Sequence, residues 1–217
     1  YVDELTRSIQ VSPQDKIIYA IGNYNDEDKV YSMIPDGSKL LPKLETMTIS
    51  NKNGFKDTNL LMVGKQVVQI DGLVTDATIP MERLVARLDV YMFKSRRLEN
   101  NTVILKSIEL VNQITNTRGE YQNTIMVSPV ETQNDLRTIS SNNVLGVMPD
   151  DMSGIIPANA TESFYSYQNI AASADPDPNV TPYLLITADI DGVSHRYKGY
   201  ITDNGQTTDK YSLKRNT

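Results

Sequence analysis

Apolar and polar residues alternate most clearly in residues 183 to 202, "YLLITADIDGVSHRYKGYIT", on either side of Asp191-Gly192. An Asp-Gly pair between two such runs predicts an antiparallel hairpin with a two-residue turn, because both turn residues tolerate positive φ. Counting outward from the turn sets Ile190 opposite Val193, Ala188 opposite His195, Ile186 opposite Tyr197 and Leu184 opposite Gly199. Side chains alternate along a strand, so this set shares one face and is expected to face the core. The other face pairs Asp189 with Ser194, Thr187 with Arg196 and Leu185 with Lys198, and is mostly polar.

Other runs carry weaker periodicity. "MERLVARLDVYMF" places Leu84, Ala86, Leu88, Val90 and Met92 on one strand face; Leu84, Leu88, Tyr91 and Met92 would also align on a helix. Pro80 just before the run and the short flanks favour the strand. "KIIYAIGN" is apolar on both faces, as a central strand is. "VILKSIELVN", "TIMVSPV" and "SFYSYQNI" read as further short strands, and "DGSKLLPKLETM" as a short helical turn limited by Pro42. Stretches rich in Asn, Asp, Gly and Pro separate them. Many short strands at near-regular spacing predict an all-β sandwich or barrel. The linker-like "DATIP", residues 76 to 80, predicts a boundary that divides the chain into domains 1–80 and 81–217.

Composition narrows the function. The 217 residues carry a net charge of −6 with no basic stripe, which argues against nucleic acid as a partner. No apolar run reaches the roughly 18 residues of a membrane helix. Cysteine is absent, which excludes disulfides and thiolate metal sites. His195 is the only histidine, and its place beside Ala188 reads as packing, with no nucleophile or orienting partner in sight. The acidic clusters at Asp26 to Asp28, Asp150-Asp151, Asp175/Asp177 and Asp189/Asp191 lack the full spacing of a calcium loop, and turn formation explains most of them. No catalytic residue, metal or cofactor is therefore expected. The twelve tyrosines leave sugar stacking open, although tryptophan is absent.

Several segments, taken in order, resemble the fimbrillin family, the type V pilins of anaerobic Gram-negative bacteria. "IIYAIGN" (residues 17–23) is similar to an early family strand ending in a small residue and Asn. "IPMERLVARLDV" (79–90) resembles the basic-hydrophobic-Ala-Arg strand that opens the second half, and "VILKSIELVN" (103–112) follows it. "SFYSYQN" (163–169) resembles a Phe-Tyr…Glu-Asn strand, with Gln168 in place of the acid. "PYLLITADIDG" and then "YSLKRNT" resemble the strand pair leading to an Arg-Asn motif, with Arg215 and Asn216 in place.

The resemblance implies two tandem transthyretin-like Greek-key β-sandwiches. It implies a subunit of a cell-surface fimbrium, exported as an outer-membrane lipoprotein, that polymerises by donor-strand exchange and supports adhesion. Its partners would be other pilin subunits, with host or bacterial surface ligands, and its only link to the membrane a lipid anchor on the precursor. By the same comparison an earlier strand region and the final strands lie outside this sequence. The competing expectation is a surface glycan-binding adhesin module on a similar sandwich.

Overall fold

A computed structural model describes residues 10–23, 48–50, 60, 62–118, 132–140, 143–149, 160–169, 175–202 and 211–214. Eleven strands lie among them: β1 (Lys16–Gly22), β2 (Thr48–Ser50), β3 (Met62–Val68), β4 (Glu82–Arg83), β5 (Val85–Val90), β6 (Val103–Ile114), β7 (Asn116–Arg118), β8 (Thr132–Thr138), β9 (Glu162–Tyr167), β10 (Tyr183–Ile190) and β11 (Val193–Tyr200). They form four antiparallel sheets, β1-β3-β4, β11-β10-β6-β8, β2-β7 and β5-β9. One 3₁₀ turn, Arg96–Leu98, is the only helical element among the described residues. "TIMVSPV" and the expected helical turn over 36–47 lie outside the described residues.

The hairpin β10-β11 has the register read from its sequence, from Ile190↔Val193 out to Leu184↔Gly199. Asp191 and Gly192 both take positive φ, 48° and 84°, as a type I′ turn needs. The Asp191 carboxylate anchors the turn by accepting hydrogen bonds from the Asn101 amide and the Thr102 N–H (2.8 Å). Those two bonds hold its pKa below the usual carboxylate value. A lowered folded pKa contributes stability above the unfolded pKa and loses it as pH falls through the folded one. Asp191→Asn, which keeps a residue suited to positive φ, should therefore lower the melting temperature at pH 7, and the gap to the parent should narrow as pH falls below the usual carboxylate pKa of about 4. A gap that persists at pH 2 would assign the loss to the turn backbone instead.

β6 shows how a change of phase in the sequence becomes geometry. Thr187 pairs with Ser107 but Ala188 with Leu105, so Lys106 is an extra residue, a β-bulge. The apolar set accordingly switches from Val103 and Leu105 to Ile108 and Leu110, all buried. Lys106 meets Asp189 at 3.1 Å. A second irregularity follows Leu110, at Asn112, whose φ of 59° suits Asn better than a bulky residue. Its side-chain amide donates to the carbonyls of Pro178 (3.0 Å) and Thr181 (3.1 Å). Beyond it, the side chain of buried Gln113 donates to the Tyr165 carbonyl (2.7 Å), and the Ile114 N–H donates to Ser166 Oγ (2.9 Å). Both donors are thus satisfied where the chain crosses from one cluster to the other.

Two apolar clusters result. The larger lies between the sheet β11-β10-β6-β8 and the ribbon β5-β9. Leu105, Ile108, Leu110, Val90 and Phe164 form its centre, and Leu184, Ile186 and Ile190 flank it. The smaller joins Val63, Leu84, Val85, Ile114, Tyr165 and Tyr167. A bend at Leu84 explains the split within "MERLVARLDVYMF": Leu84 joins the small cluster, while Leu88, Val90 and Met92 join the large one. Across the expected boundary at residue 80, β3 and β4 form one ladder, Met62↔Arg83 and Val63↔Glu82.

One inner-face expectation fails. Ala188 is buried and Ile186 and Ile190 pack on the cluster, but Tyr197 is 47% exposed. Among the described residues β11 is an edge strand, and none of its residues enters the cluster; the opposing ribbon reaches β10 and stops.

Candidate assembly surface

The small sheet β1-β3-β4 is covered unevenly. On one face Ala20 pairs with Gly64 and Gly22 with Met62. A Cβ added at Gly64 would lie 2.6 Å from the Pro80 carbonyl oxygen and 2.8 Å from both Ile79 Cγ2 and Met81 Sδ. Residues 79–81 thus rest directly on the strand backbone, and glycine is what permits it. At the end of β1, Asn23 takes a φ of 56° and its amide donates to the Leu60 carbonyl (3.0 Å). The Gly-Asn pair of "IIYAIGN" is therefore a strand stop tied to the strand's own sheet.

The opposite face runs from covered to open. Val63 is buried in the small cluster. Next along the ladder Tyr19 pairs with Lys65, whose ammonium sits 5.4 Å from the ring centroid. Then Ile17 pairs with Val67, and these two are 45% and 59% exposed. The expectation that β1 is a central strand is not met among the described residues, where it pairs with β3 alone. An apolar cross-strand pair thus stands in water beside strand backbone whose outer edge has no partner among the described residues. Such an edge is a template for another extended segment.

The other candidates resolve into structural roles. His195 lies exposed on β11, stacked on Tyr197 at 6.3 Å. Asp177 accepts from the N–H of Asn179 (2.9 Å) in a turn. Asp189 pairs with Lys106, and Asp191 holds the hairpin turn. Asp26 to Asp28 and Asp150-Asp151 lie outside the described residues. Among the described residues no three of His, Asp or Glu converge as a metal group. Asp89, between Ser163 Oγ (2.6 Å) and Arg87 Nε (2.8 Å), has its pKa lowered, chiefly by the serine hydrogen bond. On the outer face of the hairpin, Tyr183 and Tyr200 meet edge to face at 5.6 Å, with the Lys198 ammonium 3.9 Å and 4.5 Å from the two ring centroids. Sequence reading did not single out Ile17, Val67 or this aromatic group. Their significance lies in which strands end up at edges, and that is a non-local property.

No family model and no curated protein sequence matches this chain. Solved structures do. A candidate cell adhesion protein from Parabacteroides distasonis superposes with a TM-score of 0.67 at 16% identity, over 94% of this chain. The two share one fold. This chain spans 65% of that protein's length. The tip fimbrial protein Mfa3 from Porphyromonas gingivalis, in a C-terminally truncated form, superposes with a TM-score of 0.53 at 14% identity, over 95% of this chain and 74% of its own.

Proposed function

We propose that this chain is a structural subunit of a cell-surface fimbrium that polymerises by accepting a strand from a neighbouring subunit and supports adhesion. The reading rests on the edge of β1, unpaired among the described residues, with its exposed Ile17–Val67 pair. A donated strand satisfies unpaired backbone groups and covers apolar side chains in one step. Covering Ile17, the member of the pair on the open edge, contributes up to about 1.5–3 kcal/mol, and each new backbone hydrogen bond about 0.5–1.5 kcal/mol. Against this stands the entropy of ordering the incoming segment. β1 has seven residues, so a donor strand of about 5–10 residues fits it. The shared fold with a candidate cell adhesion protein and a fimbrial tip protein supports the same reading, as does the order of fimbrillin-like segments in the sequence. The remaining parts of the proposal are two tandem transthyretin-like sandwiches, export to the cell surface, a lipid anchor on the precursor, and no catalytic role.

Ile17→Asp tests it. Ile17 is already half exposed, so the monomer should fold as before, while the charge opposes a strand laid along β1. Polymer yield should fall at least about tenfold, the factor that 1.4 kcal/mol represents. The same change at Leu136, 57% exposed on β8, should leave polymers intact. Equal losses at both positions would remove β1 from the assembly contact. A second reading, a glycan-binding adhesin module, draws on the Tyr183–Tyr200–Lys198 group, and saturable glycan binding by the monomer would favour it.

A further inference from the structure

Two exposed surfaces of this chain complement one another. Between β3 and β4, residues 71–78 run exposed without a regular partner, and Leu73 and Val74 are 106% and 84% exposed. That stretch, "DGLVTDAT", carries Asp71 and Asp76 and no basic residue. β11, "VSHRYKGY", carries Arg196 and Lys198 and no acid, on a chain whose net charge is −6. Among the described residues β11 pairs with β10 alone. Its inner face leaves Val193 and Tyr197 60% and 47% exposed, and a Cβ at Gly199 would meet nothing within 4 Å.

The turn fixes which backbone groups are free. A two-residue type I′ hairpin closes on a hydrogen-bonded pair, here Ile190–Val193, and the pairs then alternate. Residues 193, 195, 197 and 199 therefore bond to β10, while 194, 196, 198 and 200 aim their N–H and C=O groups at the open edge.

We propose that residues 71–78 of one copy add to β11 of a second copy as an antiparallel fifth strand, with Asp76 opposite Arg196. In that register Leu73 lies opposite Gly199, over the open space there and diagonal to Tyr197, while Ala77 faces His195. One alignment thus pairs the charges and covers the most exposed apolar side chain. Two β11 strands pairing with each other would instead bring the cations Arg196 and Lys198 of the two copies against one another, which is unfavourable. The stretch does not cover β11 of its own copy, since Leu73 is fully exposed. The contact is heterologous, so it propagates from copy to copy rather than closing a dimer of two equal faces. It adds to the strand-donation reading and does not rest on it, because no strand enters the β1 edge.

The absence of cysteine makes the test direct. Ala77→Cys and His195→Cys are made in separate full chains, mixed, and oxidised mildly. A non-hydrogen-bonded antiparallel pair has Cα atoms about 4.5 Å apart, within disulfide range. The mixed disulfide, joining position 77 of one chain to position 195 of the other, should dominate over both like-with-like species. Asp76→Arg on the first chain should reduce it about tenfold, and Arg196→Glu on the second should restore it. A statistical mixture of the three disulfides overturns the proposal. So does indifference to the charge swap, or a chain carrying both substitutions that closes on itself at every dilution. A peptide that blocks the β1 edge should leave the crosslink unchanged, so strand donation can fail while this contact stands, and the reverse.

Discussion

Phe164→Ala is expected to lower the stability of the folded chain by about 3–5 kcal/mol. Phe164 is fully buried between the ribbon β5-β9 and the sheet β11-β10-β6-β8. It pairs with Leu88 across the ribbon, and the Arg137 guanidinium lies 5.7 Å from its ring centroid. Its neighbours in the cluster include Leu105, Ile108 and Leu110, each 0% exposed and held by the ladders of β6. Ile108 and Leu110 are pinned in two ladders and Leu105 in one, so they cannot collapse into the space a ring leaves, and the cavity persists. Denaturant unfolding should show a lower midpoint at unchanged slope. A loss below about 1 kcal/mol would mean that the ribbon does not pack against the four-stranded sheet at this point.

Gly64→Ala is the second large effect. The added methyl would meet the Pro80 carbonyl oxygen at 2.6 Å. That atom is backbone, so no rotamer change relieves the contact; either residues 79–81 lift from β3 or the ladder β1-β3 shifts. The expected cost is about 1–3 kcal/mol or more. Gly199→Ala is the matched control, because its methyl would enter open space, and it should stay within about 0.5 kcal/mol of the parent. If Gly64→Ala is as silent as Gly199→Ala, residues 79–81 do not rest on the sheet.

The parts of this fold that could be read from sequence are those fixed by near neighbours. Asp191-Gly192 and the alternation around it determine the β10-β11 register, because a slip of one residue would turn Ile186 and Ile190 to water. "VILKSIELVN" is legible only as a strand; its bulge at Lys106 becomes visible with the pairing to β10. What sequence could not supply is sheet order. Tyr197 has the periodicity of a core residue, yet it is exposed because β11, an edge strand among the described residues, lies beyond the reach of the opposing ribbon. β1 has the composition of a central strand and lies at an edge among the described residues for a related reason: its neighbours are set by contacts far along the chain. The candidate surface inherits this limit. Ile17 looks like any buried isoleucine until the pairing of its strand is known. Leu73 lies just before the linker-like residues 76–80, in a segment with no periodicity to single it out, and its full exposure follows only from the fold.

The central claim is that the edge of β1 accepts a strand from another subunit. Thermal unfolding of the folded chain, titrated with a synthetic peptide copying the C-terminal segment of a partner subunit, tests it most directly. Strand acceptance predicts a melting temperature that rises in proportion to the logarithm of peptide concentration once the site saturates, and that Ile17→Asp abolishes the rise. An unchanged melting temperature at about millimolar peptide, where even a site with a millimolar Kd is half filled, would contradict it.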